Sequence, residues 1–299
     1  MCEIVGVTEE QLPKLYESYE VVGTIKEEIA NELGLPLDVK IIAGAGDNAA
    51  AAVGTGTVNN GSCNVSLGTS GTIFISNDSY TCDKNVPIHS FDHANGKYHL
   101  MGCILSAASC NKWWVEEVLE SNHQKEQENL FELMGKNDIY FLPYLMGERC
   151  PHNDTDARAG FIGIRANTTR GELTLAVLEG VAFALKECLD IVERLGINIP
   201  NTTLCGGGAK SLLWANMIAN IFDKPVNFVE TEQGPGFGAA ILAMVGCGAY
   251  ESVEAATKEI VHVVKTIYPD KEIAENYKLK FETFKKLYQA LKPVFKTWN

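Results

Sequence analysis

The sequence predicts an α/β layered protein, and three observations predict it. Short apolar runs of strand character alternate with segments of helical period over most of the length. Glycine-rich turns mark the junctions, GAGD at 44–47, GTSG at 68–71 and GGG at 206–208. An apolar content of 46% against 21% charge, over 299 residues, supports a real core and argues against disorder.

Taken in order, residues 40–43 read as a short buried strand, and the alanine-rich run after Asp47 as a helix. Residues 63–67 and 72–76 flank the GTSG turn as the two arms of a hairpin. Residues 97–105 form a strand that feeds a helix over 110–119, where Trp113 and Trp114 read as packing residues. The polar run SNHQKEQEN at 121–129 reads as a surface connection and 139–142 as another strand. Over 171–195, Leu173, Ala176, Val177, Val181, Ala184, Leu185, Cys188 and Leu189 recur at helical spacing on one face, and Gly196 closes the helix. A second strand, turn and helix unit follows at 202–205, 206–208 and 211–222. Residues 226–229 are a strand, 234–238 a turn and 239–245 a helix; Tyr277, Phe281, Phe284, Tyr288 and Leu291 share one face of a last long helix. No linker, repeat or low-complexity tract divides residues 1–299, which predicts one unit.

The 25 basic against 38 acidic residues leave a formal charge of −13, which repels nucleic acid and anionic membranes. None of the nine cysteines is spaced as CxxC, and most sit inside apolar runs, as reduced thiols do. The N-terminus lacks a leader pattern, and the most apolar run, AAILAMVGCGAY, falls short of the roughly 20 residues that span a bilayer. These features predict a cytoplasmic protein; they leave a homodimer open.

The three glycine turns each follow a strand, where backbone N–H groups can approach a phosphate closely. Each alone is equally an ordinary tight turn; three with the same placement point to a nucleotide. The GxGxxG and GxxxxGK[ST] patterns are absent, which disfavours dinucleotide-binding dehydrogenases and P-loop ATPases. In GAGDNAAAAVG, Asp47 is an acid on almost bare backbone. Phosphoryl transfer to an alcohol needs such a carboxylate within hydrogen-bond reach of the hydroxyl, although an aspartate here could equally cap the helix. Two further groups carry alternatives. His89, Asp92, His93 and His99 could be drawn as a zinc site, but His99 alternates with apolar neighbours and a structural role is favoured. Arg149, Asp154, Asp156 and Arg158 form either a salt-bridged corner or a loop at a cleft.

In chain order, IIAGAGDNAAAAVGTG, VSLGTSGTIF, LSAASCNKWW, FLPYLMGERCPHNDTDARAGFIGI, LEGVAFAL, LCGGGAKSLLWANMIANIFDKPV and GPGFGAAILA closely resemble the C-terminal half of the FGGY carbohydrate kinases. GERCPHNDTDARAGF is most like the pentulose-specific members, although they usually carry Thr where Cys150 stands. The resemblance implies an actin-like ATPase, ribonuclease H-like fold and transfer of the γ-phosphate of ATP, with Mg²⁺, to a sugar. D-xylulose is the implied acceptor, with gluconate, ribulose or glycerol as the alternatives. It also implies that Asp47 is the proton acceptor, with Asn48 and Gly46 beside the reacting groups. Gly68, Thr69, Ser70 and Gly71 would be a phosphate hairpin. Gly206, Gly207, Gly208 and Ser211 would form the adenosine turn, and Ala107 and Asn111 would touch nucleotide, Asn111 standing where a related kinase has Gln. No DxGT hairpin is found, so residues 1–299 are expected to be the C-terminal lobe alone, inactive without an N-terminal sugar-binding lobe as partner. Mg²⁺ would arrive with ATP, and no metal is expected on protein ligands alone.

Overall fold

Alternation of period two builds the sheet of this protein, whose computed structural model describes residues 1–84, 87–231 and 234–297. Its strands are β1 (Cys63–Leu67), β2 (Gly71–Asn77), β3 (His89–Asp92), β4 (Tyr98–Ile104), β5 (Thr202–Cys205), β6 (Val226–Val229) and β7 (Val263–Ile267). They lie side by side in the order β7-β6-β5-β1-β2-β4-β3. The β1-β2-β4-β3 half is antiparallel, β1, β5 and β6 run parallel, and β7 returns antiparallel at the edge. The main helices are α1 (Asp47–Gly54), α2 (Arg170–Arg194), α3 (Leu212–Phe222), α4 (Gly234–Gly246), α5 (Val253–Ile260) and α6 (Lys271–Phe295). The parallel neighbours β5 and β6 are joined through α3, as such strands must be joined by a crossover.

The two faces of the sheet bury different things. Cys63, Val65 and Leu67 of β1 and Ile73 and Ile75 of β2 enter a large core shared with α2, α3 and α6. Asn64 and Phe74, between them in sequence, face the other way, toward Thr55 and the imidazole of His93. A smaller core lies there, made by Val53, Val58, Ala94, Ile241, Leu242, Val253 and Ala256 from α1, α4, α5 and their connections.

Helix α2 begins with a capping box: the Thr169 side chain accepts from Glu172 N, and the Glu172 carboxylate accepts from Thr169 N at 2.7 Å. The expected single apolar face is too narrow a description, because every residue from 174 to 185 is buried. The helix is enclosed on all sides, and a Cβ at Gly180 would meet the carbonyl oxygen of Phe141. Glu179 lies inside this core paired with Lys280 of α6, and burial pushes its carboxyl up despite that partner.

Two further expectations change. The strand expected at 40–43 is not buried: Lys40–Ile42 pairs with Val21–Thr24 in an exposed two-stranded ribbon. The turn expected over 234–238 is the first turn of α4, which starts at Gly234. Two glycines let α4 ride on α1: a Cβ at Gly238 of α4 would meet the carbonyl oxygen of Ala50, and one at Gly54 of α1 that of Gly234.

Candidate functional site

Two adjoining cavities open at the ends of β1 and β5, and they share Gly207, Lys210 and Leu212 in their walls. The first, about 770 Å³, is lined by Asp47, Asn48, Thr55, Cys205, Gly206 and the start of α4 at Gly234 and Pro235. The second, about 880 Å³, is lined by Thr69, Asn111, Gly207, Gly208 and Ser211. Of the expected site residues, these cavities therefore gather Asp47, Asn48, Thr69, Asn111, Gly206, Gly207, Gly208 and Ser211.

Asp47 is the first residue of α1, and the cap position is taken by Gly46, which makes no side-chain bond to the helix. The Asp47 carboxylate accepts from Asn48 N at 2.8 Å and from Asn48 Nδ2 at 3.2 Å, a local pairing that aims it without a capping bond to the N2 or N3 amide expected of an N-cap side chain. It is exposed to the cavity.

The GTSG turn is stitched to the next segment of the wall. Thr69 O accepts from Ala107 N at 2.9 Å and from Ser109 Oγ at 2.7 Å, and Gly68 O accepts from Ala108 N at 2.9 Å. Gly68, Ser70, Gly71 and Ala107 do not line either cavity. Ala107 is wholly buried, and a Cβ at Gly71 would come within 2.9 Å of Ile104 and 3.0 Å of Ala107. The bonds from Ala107, Ala108 and Ser109 hold the turn at Gly68 and Thr69 in place.

The three glycines of the last turn differ in the same way. Gly206 adopts φ 87°, and a Cβ there would meet the Leu67 backbone at 2.8 Å. A Cβ at Gly208 would come within 2.8 Å of Leu67 and 2.9 Å of Trp214. A Cβ at Gly207 would meet nothing within 4 Å, so this side of its backbone is open to a ligand. Ser211 caps α3, its Oγ accepting from Trp214 N at 3.2 Å and donating to Gln127 Oε1 at 2.6 Å.

That last bond exposes what sequence reasoning missed. The 121–129 run is more than a surface connection: it contains the helix His123–Gln127, and His123, Gln124 and Gln127 line the second cavity. Asn111 Nδ2 reaches His123 Nδ1 at 3.2 Å, and His123 Nε2 lies 3.3 Å from Glu116 Oε1. Between them the helix passes from α form at Ala108–Lys112 into π form at Trp113–Val118. Trp114 Nε1 donates to Thr174 Oγ1 at 3.0 Å and Trp113 stacks on Phe141, so both are packing residues, as expected. No periodic or glycine signal marks the 121–129 part of this wall in the sequence.

The loop after 148 is a structural corner. Glu148 is buried, with Oε1 accepting from Leu105 N at 2.9 Å and Arg149 N at 2.7 Å, and burial pushes its carboxyl up to about 8. Burial also pushes Asp154 up, but the Tyr288 hydroxyl at 2.7 Å and the Asp156 amide outweigh it and hold the carboxyl below its ordinary value. Arg158 Nη1 donates to Thr155 O at 2.8 Å and Ala157 O at 2.9 Å. None of Arg149, Asp154, Asp156 and Arg158 lines the two cavities. The histidines are likewise built into the sheet. His93 Nδ1 accepts from Ala94 N, so Nε2 donates to Thr57 O at 2.8 Å, and His99 stacks on Phe74. Among the described residues no three His, Cys, Asp or Glu side chains are grouped to hold a metal.

Four antiparallel strands, a continuation in parallel through β5 and β6, and a glycine-bearing turn at the end of β1 are the layout of the actin-like ATPase fold. The family model of the FGGY carbohydrate kinases, C-terminal domain, matches residues 63–247, and that of the N-terminal domain matches residues 1–54, which include Asp47. The chain belongs to the FGGY family of carbohydrate kinases. It is 36% identical to the xylulose kinase of Escherichia coli strain K12, over 98% of this chain and 61% of that protein. To the xylulose kinase of Staphylococcus epidermidis it is 34% identical, over 94% of this chain and 57% of that protein. The structure of a ligand-bound xylulose kinase from Lactobacillus acidophilus superposes with a TM-score of 0.92 at 26% identity, over 100% of this chain and 61% of the other. The chain thus spans about 57–61% of the length of these relatives.

Proposed function

We propose that this chain carries the proton acceptor and the nucleotide site of an ATP-dependent kinase that phosphorylates D-xylulose. The observation that carries the reading is the placement of Asp47 and Gly207 in one cavity, with Gly207 also opening onto a second cavity large enough for a nucleoside. In this reading Asp47 accepts the proton of the sugar hydroxyl as it attacks, and Asn48 holds the carboxylate. Thr69 and the open amides near Gly207 face the phosphates, where fixed donors stabilise developing charge. Magnesium bound with ATP would neutralise phosphate charge; the oxygens of Asp47 and Asn48 suit a cation that keeps most of its water. The acceptor is assigned as D-xylulose because the relatives named above are xylulose kinases.

Catalysis in this reading needs the rest of the family's two-domain length. Ile4 at 82%, Leu15 at 88% and Leu33 at 61% exposure are apolar side chains of the segment before α1 that such a remainder would cover. The free cysteines, and the lack among the described residues of a helix able to cross a membrane, fit a cytoplasmic enzyme. The test is activity on D-xylulose with MgATP, with the remainder of the N-terminal domain supplied. The chain alone is expected to show none above background. With the remainder present, Asp47→Asn lowers kcat by roughly 10²–10⁴-fold while ATP affinity barely changes, the usual loss for a general base. A near-normal kcat in that variant refutes the assignment.

A further inference from the structure

The hydrogen bonds of the second cavity decide which end of one side chain a ligand meets. Ser211 Oγ accepts from Trp214 N at 3.2 Å because it caps α3. Its own proton then needs an acceptor, and Gln127 Oε1 lies 2.6 Å away. This bond assigns the oxygen of the Gln127 carboxamide to Ser211 and leaves Nε2, with two protons to donate, as the other end of the group. Gln127 is half-buried and lines the cavity, whereas its neighbour Gln124 is exposed.

A second lock holds the same short helix from the other side. Asn111 Nδ2 donates to His123 Nδ1 at 3.2 Å, which puts the imidazole proton on Nε2, facing Glu116 Oε1 at 3.3 Å. One Nδ2 proton of Asn111, the imidazole proton of His123 and the hydroxyl of Ser211 are thus engaged within the protein, and Asn111 Oδ1, buried without a partner among the described residues, can only accept. Glu116 and Glu128, also in the wall, can only accept when ionised. Two side-chain locks are more than a surface turn requires, and both bear on residues that line the cavity.

We propose that Gln127 is a specificity-determining residue that donates from Nε2 to an acceptor on the nucleoside of a bound nucleoside diphosphate, a ring nitrogen or a ribose oxygen. The proposal rests on the nucleotide reading of this cavity. It assigns the donor role to a residue of the 121–129 segment, 84 positions before its anchor Ser211.

Calorimetry with the full chain and ADP tests it. The wild type is expected to bind. Gln127→Met, which keeps the length and loses the donor, is expected to bind about 3- to 10-fold more weakly, one neutral hydrogen bond. Gln127→Glu keeps an acceptor for Ser211 and loses the donor, so it weakens binding at least as much with an unchanged melting temperature. One of 1-deaza-ADP, 3-deaza-ADP, 7-deaza-ADP, 2′-deoxy-ADP, 3′-deoxy-ADP and the carbocyclic analogue of ADP should bind the wild type and Gln127→Met equally: a deaza analogue if the base is read, a sugar-altered analogue if the ribose is. If wild type binds ADP and both variants bind it as tightly, or if every analogue keeps the full difference between wild type and Gln127→Met, the donor assignment is overturned alone. If wild type binds no ADP at all, the nucleotide reading falls and the assignment with it.

Discussion

Replacing Gly238 with alanine adds one carbon and no charge, yet the packing of α4 on α1 predicts a large effect. The new Cβ would stand 2.7 Å from Ala50 C and 2.9 Å from Gly54 N, and closer still to the Ala50 carbonyl oxygen. Ordinary contacts of a Cβ lie at 3.4–4 Å, so α1 and α4 must part by more than about 1 Å to clear the Ala50 carbonyl oxygen. Backbone cannot rotate out of the way as a side chain can. Overpacking of this kind costs about 1–3 kcal/mol. Parting also moves α1, whose first residue is Asp47, and a displacement of about 1 Å at a reacting group costs on the order of 10² in rate. The control is Gly236→Ala on the same helix, where nothing lies within 4 Å and alanine gains roughly 1 kcal/mol of helix propensity. Urea denaturation of the chain, and kcat with the remainder of the N-terminal domain supplied, should separate the two variants. Equal stability and equal kcat in Gly238→Ala and Gly236→Ala would refute the close helix contact as the device that places Asp47.

Gly207→Val should leave stability within about 0.5 kcal/mol, since its Cβ has open space, but weaken ADP binding at least about tenfold by calorimetry. Lys280→Met should cost about 3–5 kcal/mol in denaturant unfolding, because it strands Glu179 in the core, and Lys280→Met with Glu179→Leu should recover part of it. For Glu148, the native carboxyl keeps its proton to about pH 8, whereas the unfolded one loses it near 4.5. The native state therefore binds more protons across that window, and this group lowers stability as pH rises from about 4.5 to 8. Glu148→Gln should remove that slope, so that its stability relative to wild type improves between pH 5 and pH 8 by on the order of 3 kcal/mol; an unchanged difference at the two pH values rejects the shift.

Much of the sheet was legible because its strands are local features: 202–205 and 226–229 appear where the β-branched runs stand, bounded by glycine, aspartate and proline. Edges were less so. Residues 263–267 are half exposed and carry a lysine in mid-run, and 89–92 drew attention as histidines rather than as a strand, so β7 and β3 had no clear alternation. The start of α4 was read as a turn because glycine is a poor helix former, by roughly 1 kcal/mol against alanine. What overrides that cost is tertiary, the approach of α1, and no property of 234–238 by itself contains it. The same holds for the wall that includes His123 and Gln127, whose partners Asn111 and Ser211 lie 12 and 84 residues away.

The site shows the same division within a single motif. Gly206, Gly207 and Gly208 are identical letters, but only the first has a left-handed φ and the third is pressed against Leu67 and Trp214, whereas the middle one faces open space. Ala107 and Thr69 belong to the same reading of a nucleotide pocket, yet Ala107 is buried and uses its N–H to hold the Thr69 carbonyl, while the Thr69 side chain lies in the wall. A substitution that tests ligand contact must therefore be made at Gly207 or Thr69. At Gly206, Gly208 or Ala107 the same experiment measures folding, and a lost activity there would say nothing about what the ligand touches.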